Sequence, residues 1–284
     1  MTHSIIYAAL MPIVIIAFFA SVGGNFLLVL RDRSTLTILS TPILGGLASG
    51  FIAYITLLSK GSLQQAFTIQ VILSLAGSMC WLYPQKNRKI LIGALQIKYI
   101  SIFILLYLIT CVPFLWHFVP PDVDAQYTGT IAAHILMGDM YPNIQLWGPD
   151  TTPLRVLLPD SNAVQAALLS FWAPNQLTQT LIALASAWTL ATLLLATALI
   201  MRISPTLPLP IQLATLCAFG MSRSFTWNYG DGSYTRLPGI AALLLVITAS
   251  TLLVKNRKHR DFSIIIATLV GTLAYFHQRY EIIL

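Results

Sequence analysis

The chain has 284 residues, of which 57% are hydrophobic and only 9% are charged. Its 16 Lys and Arg residues exceed its 9 Asp and Glu residues, so the formal net charge is +7. So few charges cannot cover the surface of a soluble protein of this length, which excludes a soluble enzyme, a disordered chain and a nucleic-acid-binding domain. The composition predicts a polytopic membrane protein, surrounded by a lipid bilayer, whose basic residues set its orientation.

Runs of about 20 apolar residues predict the membrane spans. In chain order they cover residues 5–30, 36–58, 67–83, 99–119, 177–201, 207–221, 237–254 and 262–276. Their lengths favour helices over barrel strands, so we expect an all-α integral membrane fold of about eight spans. The sixth run is the shortest and follows three prolines, which predicts a tilted, broken or re-entrant helix there.

Lys and Arg are concentrated in alternate loops between the predicted spans. Eleven of the 16 fall on one side of the membrane and five on the other. Because cytoplasmic loops carry the excess of basic residues, the N-terminus is predicted to lie outside. We therefore expect a multi-pass protein of a bacterial plasma membrane, with residues 120–176 on its extracytoplasmic face.

This long segment divides the chain into three regions. Residues 1–119 form a four-span region, residues 120–176 an outer loop, and residues 177–284 a second region of about four spans. The loop holds five of the nine acidic residues: Asp122, Asp124, Asp139, Asp150 and Asp160. Its aromatic and aliphatic content argues against disorder, so we expect an ordered cap on the membrane.

The loop begins with a predicted helix that extends to about residue 137. Prolines followed by aspartates are a typical helix start, and Gly138 is a typical stop. Tyr127, Ile131 and Ile135 recur every four residues and form a narrow apolar stripe. Such a stripe is expected to lie on the membrane surface.

The acidic pair at the start of this helix has two interpretations. Asp122 and Asp124 would be solvated residues that cap the helix, or they would form a catalytic pair. If Asp122 is the cap and Asp124 lies in the first turn, both can face one cavity. Carboxylates so placed deprotonate an acceptor hydroxyl or hold a divalent cation.

Residues 122–142 contain this acidic pair, a helix with Tyr and Ala, and a Gly-x-x-Tyr-Pro sequence. The segment resembles the first large outer loop of the GT-C glycosyltransferases, a polytopic superfamily that includes protein mannosyltransferases and arabinosyltransferases. A Pro-Leu turn, an amphipathic surface helix at 162–172 and the long fifth span resemble its continuation, so the resemblance covers residues 120–201. In this chain, unlike the family, three further spans precede the loop. Residues 277–284 read like the entry to another span, which favours a fragment of a longer protein.

The resemblance implies an enzyme that moves a sugar, with inversion, from a polyprenyl-phosphate donor to a hydroxyl of an acceptor glycan, lipid or protein. Asp122 or Asp124 would be the general base and, in branches that use a metal, would bind Mg²⁺ or Mn²⁺. Arg155, Arg223 and Arg236 lie on the same predicted face, where they would contact the donor phosphate or anchor the protein to lipid headgroups.

Four other residues are candidates for substrate binding, and each has a simpler structural explanation. Tyr127 is also an interfacial aromatic residue, and His134 an interfacial histidine without a second metal ligand at the usual spacing. Asp150 lies in a sequence typical of a turn. Asp231 belongs to an aromatic-rich outer loop that would stack on a sugar, and it would alternatively pair with Arg236.

A transporter or permease is the main rival hypothesis. Carriers usually hold ionisable residues at mid-membrane and show paired broken helices, whereas here the acids lie in a loop and one span looks broken. A non-catalytic membrane assembly subunit would fit the apolar spans but would leave the acidic loop unexplained.

Overall fold

The structure, a computed structural model, describes residues 2–29, 35–82, 97–110, 123–138, 143–144, 154–155, 161–203, 206, 208–220 and 236–255. Within these ranges the chain is helical apart from short turns and two strands of two residues each. The helices are α1 (Thr2–Gly23), α2 (Phe26–Val29), α3 (Thr35–Leu58), α4 (Leu63–Leu82), α5 (Ile97–Thr110), α6 (Val123–Met137), α7 (Ser161–Leu169), α8 (Leu177–Ile203), α9 (Leu209–Gly220) and α10 (Arg236–Lys255). The strands β1 (Asn143–Ile144) and β2 (Leu154–Arg155) pair antiparallel.

Three helices in the described part are long and apolar enough to cross a membrane. They are α3, α4 and the helical segment Pro174–Ile203, in which a 3₁₀ turn precedes α8. Shorter apolar helices at Ala9–Gly23 and Leu237–Thr251 fall within the first and seventh predicted spans. The eighth predicted span, residues 262–276, lies outside the described residues. The all-helical, membrane-compatible architecture is thus confirmed.

The sixth predicted span is short in the structure as well. Helix α9 has 12 residues and begins directly after Pro208. The Pro208 carbonyl accepts hydrogen bonds from the backbone N–H groups of Ile211 and Gln212, at 3.0 and 3.2 Å. Proline has no N–H to offer an upstream carbonyl, so it fits the first turn of a helix and not its interior.

The first predicted span was wrong as a continuous helix, because a turn at Gly24 and Asn25 separates α1 from α2. The Asn25 side chain donates hydrogen bonds to the Val22 and Leu73 carbonyl oxygens, both at 2.8 Å. Asparagine competes in this way for backbone groups that a continuing helix would use. One polar residue within an apolar run therefore ends α1 and ties it to α4.

Helices α3 and α8 form the centre of the bundle. Helix α8 contacts α1, α3, α5, α6, α7, α9 and α10. Its many Ala residues allow close approach, and the buried threonines Thr189, Thr192 and Thr197 donate their hydroxyls to carbonyls one turn back, at 2.7–2.9 Å. A helix rich in Ala and Thr can therefore be enclosed on all sides without leaving these hydroxyls unpaired.

Glycines let α1 approach α3 and α4 until the backbones touch. A Cβ atom on Gly45 of α3 would overlap the Phe19 carbonyl oxygen of α1, and one on Gly77 of α4 would overlap the Ser21 carbonyl oxygen. Small residues at helix crossings are the usual means of close packing between membrane helices. These two positions fix the separation of three helices.

The turn between α3 and α4 closes both helices with local hydrogen bonds. Lys60 has φ +63°, and the N–H groups of Lys60 and Gly61 bond to the Leu57 and Thr56 carbonyls, which is the Schellman pattern. The Ser62 hydroxyl then accepts from the Gln65 N–H at 3.1 Å, and the Gln65 side chain accepts from the Ser62 N–H at 2.9 Å. This capping box starts α4.

Replacing Lys60 with Gly is expected to raise the free energy of unfolding by about 1 kcal/mol, because the left-handed backbone strains any residue with a Cβ atom. The Lys60 side chain is exposed, so little packing is lost. Thermal unfolding of the purified protein measures the change. Lys60→Ala keeps the Cβ atom, so this control should not raise the free energy of unfolding. If it raises that free energy as much as Lys60→Gly does, the gain comes from removing the charge and not from the backbone.

Candidate functional site

Helix α6 carries the acidic end of the long loop. It spans Val123–Met137, which confirms the predicted helix. Its buried face consists of Thr128, Ile131, Ala132 and Ile135, and the helix packs against α7 and α8. The prediction that an apolar stripe lies on the membrane surface was therefore wrong for Ile131 and Ile135. Their four-residue spacing is that of a face which packs on the protein.

Asp124 is the second residue of α6. It precedes Thr128 by four residues and Ile131 by seven, so its helical register is that of the packed face. Tyr127, which is 50% exposed, and His134, which is partly buried, lie seven residues apart on one flank of the same face. Three candidate residues thus follow one side of one helix.

Gly138 ends α6, as the sequence predicted. Its φ is +96°, and its N–H bonds to the Ile135 carbonyl oxygen at 3.2 Å. Only glycine adopts this conformation without strain, and an added Cβ atom would meet no atom of the described residues within 4 Å. The residue is therefore required for its backbone alone.

Gly138→Ala is expected to lower the free energy of unfolding by about 1 kcal/mol, through the left-handed conformation that alanine must adopt. Thermal unfolding measures the loss. Gly138→Asn is the matched variant, because asparagine tolerates this region better, and it should recover part of the stability. If the parent chain and Gly138→Ala had equal free energies of unfolding, the proposed role of the Gly138 backbone would be contradicted.

Of the other six candidate residues, the structure describes Arg155 and Arg236. In the ladder, Arg155 of β2 pairs with Asn143 of β1, and β1 contacts α6. The ladder therefore brings the backbone of Arg155 close to the helix that carries Asp124. Arg236 is the first residue of α10, which packs on α3 and α8. Asp122, Asp150, Arg223 and Asp231 lie outside the described residues.

The second loop helix differs most from its prediction. The sequence predicts an amphipathic surface helix at residues 162–172, whereas α7 is Ser161–Leu169 and every residue from 162 to 168 is buried. It contacts α3, α4, α6 and α8. Gln165 donates a hydrogen bond to a backbone carbonyl of α3. The surface position was therefore wrong.

The bond made by Gln165 shows how far α7 enters the bundle. Its Nε2 lies 2.6 Å from the carbonyl oxygen of Gly46, the twelfth of the 24 residues of α3. At 1.5 Å per residue, Gly46 lies about 17 Å from either end of α3. The segment that was expected to cap the bundle thus reaches half-way along a helix long enough to span a membrane.

An aromatic cluster lies where α7 leads into α8. Phe67 of α4 stacks on Phe171 with ring centroids 5.5 Å apart, and Trp172 meets both rings edge-on at 5.4–5.6 Å. Trp172 remains 76% exposed. Helix α6 contacts this same end of α8, since Leu181 lies 3.0 Å from the Cβ position of Gly129. The acidic helix and an exposed aromatic surface therefore share one end of the bundle.

Sequence reasoning did not single out this cluster or the contact of Gln165. Phe67 and Trp172 are about 100 positions apart, and no local spacing connects them. Within the described ranges, no three His, Cys, Asp or Glu residues lie close enough together to hold a metal ion. Comparison with family models, curated proteins and solved structures finds no match to this chain.

Proposed function

We propose that this chain is a GT-C-like membrane glycosyltransferase of about eight spans that acts on the extracytoplasmic face of a bacterial plasma membrane. The observation that carries the proposal is the place of Asp124, in the first turn of α6 and in register with the face that packs on α7 and α8. The chain has only nine acidic residues in 284, and five of them lie in the loop that contains this helix. The exposed Trp172, at the same end of α8, offers a ring on which a sugar can stack.

In this proposal Asp122 or Asp124 takes the proton from the acceptor hydroxyl while its oxygen attacks the anomeric carbon. The bond from that carbon to the phosphate oxygen breaks, and polyprenyl phosphate leaves with the electron pair, which inverts the configuration. Arg155, Arg223 and Arg236 would hold the phosphate. If a divalent cation takes part, the two carboxylates are oxygen ligands of the kind that Mg²⁺ or Mn²⁺ prefers. It would offset charge on the leaving phosphate.

Four residues would surround the substrates. Tyr127 and His134 share a flank of α6 and would contact the acceptor or the donor sugar. Asp150 and Asp231 would bind sugar hydroxyls. Substitution of any of these four residues should raise KM more than it lowers kcat, because such contacts are made in the ground state as well as in the transition state.

The test is sugar transfer by the full chain in lipid vesicles that contain polyprenyl-phosphate-linked sugars. Asp122→Asn and Asp124→Asn keep the shape of the side chain and remove its basicity. Transfer by at least one of them is expected to fall about 100-fold or more, with membrane insertion unchanged. Asp139→Asn, in the same loop, is the control and should retain activity. Unchanged transfer by both variants, from any donor used by the parent chain, would refute the assignment.

One observation favours the second candidate, a permease. Helix α7 carries Asn162 and Gln165 into the interior of the bundle, where a solute path would need polar groups. A permease would take solute into sealed vesicles that contain no polyprenyl-phosphate donor. Uptake that is insensitive to Asp122→Asn and Asp124→Asn, in a chain with no transfer activity, would favour this alternative.

A further inference from the structure

Two buried side chains that contact Gly46 of α3 each carry a polar atom with no hydrogen-bond partner among the residues that the structure describes. Gln165 uses its Nε2 to bond the Gly46 carbonyl, but its Oε1 has no hydrogen-bond partner. The ring of Trp188 touches the same residue, with Cη2 2.7 Å from the position of a Cβ on Gly46, and its Nε1 has no partner either. Each side chain is 1% exposed. Two side chains that contact the same glycine thus carry one unpaired acceptor and one unpaired donor.

The next turn of α3 repeats the pattern. Gln70 of α4 donates from Nε2 to the Ser49 carbonyl oxygen at 2.9 Å, while its Oε1 and the Ser49 hydroxyl have no partner. Ser49 follows Gly46 by three residues, on the same side of α3. Asn162, one turn before Gln165 on α7, also has an unpaired Oδ1. Unpaired atoms on Gln165, Trp188, Gln70 and Ser49 thus belong to side chains on or against this stretch of α3, while others, on Ser170 and Gln176, lie between α7 and α8 in the chain.

The mixture of donor and acceptors restricts what can bind. Buried polar groups lose their hydration and are normally paired again within the protein or by bound water. A cation would satisfy the amide oxygens but cannot accept a hydrogen bond from the indole N–H. An anion would accept from the indole but cannot donate to an amide oxygen. A neutral hydroxyl group does both.

We propose that α3, α7 and α8 form a binding site around Gly46 for a neutral hydroxyl group, which accepts a hydrogen bond from Trp188 Nε1 and donates one to Gln165 Oε1. The hydroxyl belongs to a water molecule or to an alcohol. Glycine is required at position 46, because a Cβ atom there would collide with the rings of Phe19 and Trp188. The proposal does not depend on the glycosyltransferase hypothesis.

The first test is a double-mutant cycle on the melting temperature of the full chain in detergent. Trp188→Phe and Gln165→Leu each remove one partner of the hydroxyl, so each is expected to lower Tm by about 2–4 °C. The double variant should fall by less than the sum of the two single variants, because the hydroxyl is lost in each of them. Trp81→Phe is the matched control. The Trp81 indole donates to the Ala20 carbonyl at 3.0 Å, so its effect should add to that of Gln165→Leu.

The second test is radiolytic oxidation, which labels side chains next to bound water. Trp188 should be oxidised at a rate within tenfold of the exposed Trp172, and Gln165→Leu should reduce that rate at least tenfold. Addition of n-octanol distinguishes the sources. If water occupies the site, octanol changes neither the rate nor Tm; if an alcohol does, octanol slows oxidation and raises Tm in the parent chain only. The proposal would be overturned if the Tm losses of Trp188→Phe and Gln165→Leu simply added. It would also be overturned if Trp188 were not oxidised and octanol changed neither the oxidation rate nor Tm.

Discussion

Gly45→Ala and Gly77→Ala are each expected to destabilise the helical bundle strongly. A single added methyl group would overlap a backbone carbonyl oxygen, at Phe19 in the first case and at Ser21 in the second. A flexible side chain can move aside, but here the opposing atom belongs to the main chain of α1, so two helices must separate. Overpacking usually costs about 1–3 kcal/mol, and the upper end or more is expected where backbone must shift. The yield of monodisperse protein in detergent and its thermal unfolding measure the effect.

Gly239 of α10 supplies the control for both variants. It lies in a helix, as Gly45 and Gly77 do, but a Cβ atom on it would meet no described atom within 4 Å. Gly239→Ala should therefore raise stability by roughly 0.5–1 kcal/mol through helix propensity alone. If Gly45→Ala folds as well as Gly239→Ala, the close packing of α1 on α3 is incorrect.

Ala166→Lys in α7 is expected to abolish folding as well, for an electrostatic reason. Ala166 is fully buried in a helix enclosed by α3, α4, α6 and α8. An ammonium group there would lose its hydration, and a buried unpaired charge costs several kcal/mol even after the protein relaxes. Expression, membrane insertion and detergent stability of the variant measure the outcome.

Thr130→Lys on the exposed side of α6 is the matched control, and it should fold normally. Both substitutions place the same side chain on a helix of the long loop, so they differ only in burial. If Ala166→Lys folds as well as Thr130→Lys, then α7 lies on the surface, as its composition first suggested. The pair thus decides directly between a surface helix and an inserted one.

Much of the helical framework could be predicted because hydropathy and helix signals are local. The limits of α3 and α8, the stop at Gly138 and the short α9 after Pro208 all follow from residues that are neighbours in sequence. The break at Asn25 was missed because one amide hardly changes the hydropathy of a long run. Its effect depends on the Leu73 carbonyl, 48 residues away.

The site was predicted less completely, for the same physical reason. The register of Asp124 on α6 follows from helix periodicity, but the antiparallel pairing that brings Arg155 to β1 does not. Polarity alone cannot tell whether an amide bonds to water or to a distant backbone. Gln165 bonds to Gly46, 119 residues earlier, so a pattern typical of a solvated helix belonged to a buried one.

The position of α7 also constrains the order in which the chain is assembled. Its nine residues are about 14 Å long, less than half the thickness of a hydrocarbon core, so the segment cannot be inserted as a span of its own. It must instead fold back, with the rest of the loop, between the helices that enclose it. Helices α3 and α4, against which α7 packs, are synthesised before it. Helix α8, which also contacts α7, is synthesised only after α7 has left the ribosome. Insertion of α7 is therefore a late step of biogenesis that closes the bundle.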